Sequence, residues 1–180
     1  MLPLLNRLEN ILQRFITEER DALCVGHFKW RKGKKIFSLT EDCIKGLLIQ
    51  FILRQDDLKD LYVYQDVRVR PYEKNNPDQT ADFVLTTKKL SYNSFLSILW
   101  EKHQQDMLIC EIKLSSETRT ERIKDDQGRI EKWENAPACF IYLQLGTKNQ
   151  TPEIYLWKKG DEKGRRKGKK ICLMKKQITY

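Results

Sequence analysis

The segment Met107-Leu-Ile-Cys-Glu111-Ile-Lys113-Leu114 sets an acid and a lysine two positions apart in an otherwise apolar run. Side chains alternate along a strand, so Glu111 and Lys113 share one face. Charges in the middle of an apolar strand are costly unless they are paired, bind an ion or open into a wet cleft. Some 29 residues earlier, Thr80-Ala81-Asp82-Phe83-Val84-Leu85 puts a second acid at the mouth of another apolar run. If the two strands are neighbours, Asp82 and Glu111 converge, and two converging carboxylates raise each other's pKa. A divalent cation removes that conflict. Oxygen ligands with retained water suit Mg²⁺, with Mn²⁺ as a close substitute. Such an ion polarises a phosphoryl oxygen and lowers the pKa of bound water. Lys113 beside it would orient that water and offset charge developing on the phosphate.

Other chemistries find less support. The five cysteines, Cys24, Cys43, Cys110, Cys139 and Cys172, are odd in number, widely spread and without a CxxC pair. Reduced thiols are expected, and Cys43, Cys110, Cys139 and Cys172 read as small core side chains. Cys24 and His27 have half of a zinc spacing, with no second pair to complete it. His27 and His103 are the two histidines, and neither has the spacing of a Ser-His-Asp or Cys-His arrangement.

The 180 residues carry 34 Lys+Arg against 25 Asp+Glu, a formal charge of +9. That length suits one domain with a substantial core. The excess charge is clustered. From Lys158 to Tyr180, ten basic residues face Asp161 and Glu162, a local balance of +8 that leaves +1 for the rest. A second run, Lys29, Arg31, Lys32, Lys34 and Lys35, adds +5 within seven residues. Lys163, Arg165, Arg166, Lys167, Lys169 and Lys170 form the heart of the C-terminal cluster. Clusters of this kind bind polyanions in a salt-sensitive way, so nucleic acid is the expected partner. A membrane surface is not, because Gly160 to Lys170 lacks the apolar face a membrane helix needs. No apolar run reaches the ~20 residues of a membrane span. A cytoplasmic, intracellular protein is expected.

The elements that must position these residues follow from periodicity. Leu4, Leu5, Leu8, Ile11, Leu12, Phe15 and Ile16 recur at helical steps within Leu2 to Arg20. An irregular basic stretch follows to Phe37. Thr40-Glu41-Asp42 reads as a capped start of a helix running to about Arg54. Strands are predicted at Leu61–Val69, Ala81–Thr87, Met107–Leu114 and Ala138–Leu145, with a polar turn at Pro71–Gln79. Lys88 to Gln105 reads ambiguously, with Phe95, Ile98 and Leu99 on a short helix. Ile123, Ile130 and Trp133 give Ser115–Asn135 a loose helical spacing. Glu153–Lys158 and Ile171–Met174 complete a hairpin whose loop carries the basic cluster. The order predicts one mixed α/β domain over 1–180: residues 1–39 as helix and basic segment, 40–145 as core, and 146–180 as basic hairpin.

Asp82 before one core strand and Glu111-Ile112-Lys113 in the next resemble the PD-(D/E)xK nuclease superfamily, the restriction-endonuclease-like fold of a mixed sheet flanked by helices. Here Ala81-Asp82 stands where that family has Pro-Asp. The literal Pro77-Asp78 lies in a stretch that reads as a turn. The resemblance implies that Asp82 and Glu111 hold the metal, that the main-chain carbonyl of Ile112 completes its shell, and that Lys113 is catalytic. It also implies a supporting glutamate from the preceding helix. Glu41 is the candidate, with Glu18 or Glu19 as alternatives. The implied function is a Mg²⁺- or Mn²⁺-dependent nuclease, acting on DNA ahead of RNA. A homodimer or larger complex fits it, since a duplex has two strands to cut. The alternative is a non-catalytic nucleic-acid-binding subunit with the same fold. Arg119, Arg122 and Lys124 are further phosphate candidates or a solvated face. Trp100, Trp133 and Trp157 read as core, and Tyr142 and Gln144 as neighbours of the Glu111 face.

Overall fold

The computed structural model describes residues 2–25, 30–31, 34–35, 40–68, 80–90, 106–114, 120–131, 137–146, 150–163 and 168–172. Helices α1 (Leu2–Glu18) and α2 (Arg20–Val25) are followed by the short strands β1 (Trp30–Arg31) and β2 (Lys34–Lys35), then α3 (Glu41–Leu53) and a 3-10 turn at Asp56–Leu58. Next come β3 (Tyr62–Arg68), β4 (Thr80–Thr86), β5 (Met107–Leu114), α4 (Thr120–Glu131), β6 (Ala138–Gln144), β7 (Glu153–Lys158) and β8 (Lys169–Ile171). The result is an α/β protein built on a six-stranded mixed sheet in the order β3-β4-β5-β6-β7-β8, with β1 and β2 paired separately.

All neighbours in the large sheet run antiparallel except β5 and β6. A parallel pair needs a crossover, and α4 provides it. Alternation along the strands then makes two cores. Phe83, Leu85, Cys110, Ile112, Cys139, Ile141 and Leu156 face α1 and α3, where Leu8, Ile11, Phe15, Ile44, Leu48 and Phe51 meet them. Val84, Met107, Ile109, Phe140, Tyr142 and Trp157 face Ile123 and Ile130 of α4. Both faces of β5 and β6 are covered, which is why these strands read as nearly continuous apolar runs.

Thr40 caps α3: its hydroxyl accepts the Cys43 N–H at 3.3 Å, and Glu41 and Asp42 occupy the first turn. This cap fixes where Glu41 leaves the helix. At the other end of the chain, Gly160 (φ 92°) turns the chain after β7, a backbone state that glycine adopts without penalty.

Periodicity missed α2, β1, β2 and the 3-10 turn, each too short to show it. The last strand starts two residues earlier than expected, at Lys169 of Lys169–Ile171, and the expected Leu173 and Met174 lie outside the described residues. Cys110 and Cys139 are buried as expected, but Cys43 and Cys172 are exposed. Cys43 lies on the outer side of the first turn of α3, and Cys172 lies just past the edge strand β8. Of the ambiguous stretch Lys88–Gln105, residues 91–105 lie outside the described residues, as does the turn expected at Pro71–Gln79.

Phe51 is fully buried and meets Phe15 edge to face at 5.5 Å, tying α3 to α1. Phe51→Ala is expected to lower stability by about 3–5 kcal/mol. Urea denaturation should show a lower midpoint with an unchanged slope. A loss under about 1 kcal/mol would contradict this packing.

Candidate functional site

The site is built where the sheet stops closing. β4 and β5 pair from Thr86↔Met107 to Phe83↔Cys110. One step further, Asp82 would face Glu111, and the ladder ends there. The next backbone donor on that edge, the N–H of Ile112, instead donates to Asp82 Oδ2 at 2.8 Å. A residue's N–H and C=O turn to the same edge of a strand, so the Ile112 carbonyl also faces this opening. On the other side of β4, the β3 ladder passes from Gln65↔Phe83 to Val67↔Ala81. It skips Asp66, which has a φ of 52° and sits opposite Asp82 in the same register. Asp66, Asp82 and Glu111 therefore stand in one row across three neighbouring strands.

Three cations are set into this row. Lys45, one turn after Glu41 on α3, is 5% exposed. Its Nζ lies 2.8 Å from Asp66 Oδ1, 3.3 Å from Asp42 Oδ1 and 3.6 Å from Asp82 Oδ1. Lys113 Nζ donates to Glu41 Oε1 at 2.7 Å and lies 3.8 Å from Asp126 Oδ2. Arg129 Nη2, from α4, is 2.7 Å from Asp126 Oδ1 and 3.5 Å from Glu111 Oε2. α3 thus delivers Glu41 and Lys45, β5 delivers Glu111 and Lys113, and α4 delivers Asp126 and Arg129.

Burial pushes the Glu111 carboxyl up to about 9, and the neighbouring Asp82 carboxylate adds to the rise, more than Arg129 and Lys113 can offset. Burial likewise raises the Asp126 carboxyl. Burial opposes the charge on Lys113, but the hydrogen bond to Glu41 and the fields of Glu41, Asp126 and Asp82 outweigh it, and the ammonium is held more firmly than in free lysine. The same balance of burial against Asp66, Asp82 and Asp42 raises Lys45.

These ion pairs join six carboxylates to three cations. With every acid ionised the cluster lacks positive charge. The deficit centres on Glu111, which is 2% exposed and whose Oε1 has no hydrogen-bond partner. An orphaned buried carboxylate oxygen beside a second carboxylate suits a divalent cation. Asp82 retains lone pairs for it, because a carboxylate accepts about four contacts. The donor set is all oxygen, as Mg²⁺ and Mn²⁺ prefer. Among the described residues, no group of three or more His, Cys, Asp or Glu is gathered closely enough to hold an ion. The fit therefore rests on Asp82, Glu111 and the Ile112 carbonyl.

Of the residues singled out from sequence, Asp82, Glu111, Lys113 and Glu41 are brought together. Glu18 and Glu19 are not. Glu18 pairs with Arg14 and Glu19 with Arg54, the residue that caps the far end of α3, about 20 Å along the helix from Glu41. Lys169 and Lys170, expected on the nucleic-acid surface, pair with Glu9 and Glu153 at 2.5 Å each. These are exposed pairs, of a kind that adds little to stability. Lys163 is exposed, with its Nζ over Gly128 of α4. Arg31, Lys34 and Lys35 belong to the β1–β2 pair. Lys29, Lys32, Arg165, Arg166, Lys167, Arg119 and Pro77-Asp78 lie outside the described residues, as do His27, Trp100 and Trp133. Trp157 is core and donates to the Glu162 carbonyl at 2.8 Å. Tyr142 is buried beside Lys113 in register.

Lys45, Asp66, Asp126 and Arg129 escaped the sequence reading. For Lys45 the signal was its spacing of four from Glu41 on one helix face. For Asp66 it was an acid inside a Val- and Tyr-rich strand. Compared with protein-family models, curated proteins and solved structures, the chain matches none. No described helix is long and apolar enough to cross a membrane.

Glu111 keeps its proton to about pH 9 when folded, against an ordinary value of 4.5. Between those values the native state binds more protons than the unfolded chain, so stability falls as pH rises. Its contribution is complete below about 4.5 and is lost through about 9. Urea denaturation with EDTA present should show Glu111→Gln flattening that decline and exceeding the wild-type stability at pH 9. Parallel pH curves for the two proteins would contradict the buried-carboxyl account.

Proposed function

We propose that the chain is a metal-dependent nuclease with a restriction-endonuclease-like fold, hydrolysing phosphodiester bonds in DNA ahead of RNA. The observation that carries this reading is the partnerless Glu111 Oε1 beside Asp82 at the opening between β4 and β5, with Lys113 on the same face. Asp82, Glu111 and the Ile112 carbonyl are the groups that would hold Mg²⁺ or Mn²⁺. Such an ion, when bound, polarises a phosphoryl oxygen and makes its bound water more acidic.

The remaining work falls to this chain's own groups. Lys113, kept protonated by Glu41 and Asp126, donates hydrogen bonds to the attacking water and to phosphate oxygens. It does not act as a base. Glu41 holds the lysine in position from the capped end of α3. The basic residues Lys29–Lys35 and Lys163–Lys170 would grip the phosphate backbone, which makes binding steeply salt-dependent. A second reading, a nucleic-acid-binding subunit without catalysis, draws on the lack of three gathered ligating acids among the described residues.

One set of incubations separates the readings. Purified protein is mixed with single-stranded, duplex, branched and RNA substrates in Mg²⁺, Mn²⁺ or EDTA. The nuclease reading expects cleavage with either ion and none in EDTA. Lys113→Ala should lose at least about 100-fold in rate while retaining binding. Asp82→Ala and Glu111→Ala should lose cleavage together with ion affinity. Binding that is indifferent to EDTA, with no substrate cut, would establish the binding subunit. No affinity for nucleic acid at low salt would remove both readings.

A further inference from the structure

We propose that Lys45 limits the site to a single divalent ion, its ammonium standing where a second ion would bridge Asp66 and Asp82. The inference rests on the reading of Asp82 and Glu111 as ion ligands, and it assigns a role to a residue which that reading leaves unused.

The row Asp66, Asp82, Glu111 offers two gaps between carboxylates, one on each side of Asp82. The Asp82–Glu111 gap holds the orphaned Glu111 Oε1. The Asp66–Asp82 gap is already filled by a cation, the Lys45 Nζ, 2.8 Å from Asp66 and 3.6 Å from Asp82. Asp42 adds a third carboxylate at 3.3 Å. A lysine stem that buries itself to 5% exposure to reach this point is fixed by its helix. The Thr40 cap sets the start of α3, and the four-residue step from Glu41 sends both side chains to the same edge of the sheet. The two charges then have separate tasks: Glu41 holds Lys113, and Lys45 neutralises the β3 side of Asp82.

Three carboxylates around one ammonium exceed what one positive charge can balance. Without the ammonium, Asp66 and Asp82 would repel across adjacent strands. A divalent ion offers twice the charge, and its shorter bonds of roughly 2.1 Å require the three acids to draw in by roughly 1 Å. With Lys45 in place that contraction is blocked, and the oxygen left open to an entering ion is Glu111 Oε1. Arginine at position 45 would keep the block. A neutral side chain of similar length would lift it.

The test counts Mn²⁺ bound to the full chain without nucleic acid, by electron paramagnetic resonance of free Mn²⁺ and by calorimetry, with circular dichroism confirming the fold. Wild type is expected to bind one ion, Lys45→Arg one, Lys45→Gln two, and Lys45→Gln with Asp66→Asn one. Two bound ions should also show spin coupling. One ion in both wild type and Lys45→Gln, at the same affinity, overturns this inference alone. No ion in wild type overturns the reading beneath it and this inference with it. Should Lys45→Gln not fold, Asp66→Asn in the native chain serves instead. Lys45 then turns more of its charge on Asp82, and the Mn²⁺ dissociation constant should rise about fivefold, the equivalent of ~1 kcal/mol. An unchanged constant overturns the inference.

Discussion

Two carboxylates forced to neighbouring positions on adjacent strands, under cover of a helix, are the constraint around which the molecule is organised. At an effective dielectric near 20, like charges ~4 Å apart repel by about 4 kcal/mol. That is a large share of the ~5–15 kcal/mol by which a whole domain is stable. Asp82 and Glu111 are brought into this register, and the almost wholly buried Glu111 avoids the repulsion by keeping its proton to about pH 9. The sheet answers by opening: the ladder ends at Phe83↔Cys110, and the Asp82 carboxylate takes the Ile112 N–H that the ladder would have used. Backbone hydrogen bonding is thereby kept while the β4–β5 ladder ends.

The flanking helices serve that cleft from opposite faces. α3 packs its apolar side on the first core and extends its capped end past the sheet, so that Glu41 and Lys45 reach the β3–β4–β5 row. α4 packs Ile123 and Ile130 on the second core and turns Asp126 and Arg129 toward Glu111 and Lys113. Each cation meets at least two carboxylates; Glu41, Glu111 and Asp126 are drawn in from solvent, while Asp42 and Asp66 stay exposed at the rim. Such a network is weak evidence for stability, since buried ion pairs often do little better than apolar packing. Retaining so many charges inside an apolar fold makes more sense for a site than for a strut. The +9 of the whole chain lies elsewhere, on the basic runs. The ion site proposed above and the basic runs proposed to meet a polyanion are thus separate parts of the sequence.

Much of this is legible in the order of the amino acids alone. Met107–Leu114 and Glu153–Lys158 are readable to the residue because short, largely apolar runs bounded by polar segments leave little choice of strand limits. Thr40-Glu41-Asp42 announces the start of α3 through its capping chemistry. The trio Asp82, Glu111 and Lys113 stands out because charges inside apolar strands are rare. Asp126 and Arg129 do not, because nothing local marks them, and the local hints at Lys45 and Asp66 are too weak to place them in the site. Asp66 belongs to the row only through the β3–β4 register, and Lys45, Asp126 and Arg129 matter only once the helices are laid on the sheet. Cys43 and Cys172 show the converse failure. Apolar neighbours in sequence suggest burial, but helix phase and strand ending put both thiols outside.

The central claim is that the opening between β4 and β5 seats one ion between Asp82 and Glu111. Crystals soaked in Mn²⁺ and measured at the manganese absorption edge test it most directly. The account predicts a single anomalous peak about 2.2 Å from an oxygen of each carboxylate and from the Ile112 carbonyl, with Lys45 still lodged between Asp66 and Asp82. A peak at some other group of acids, or none at a concentration that saturates the protein in solution, would contradict it.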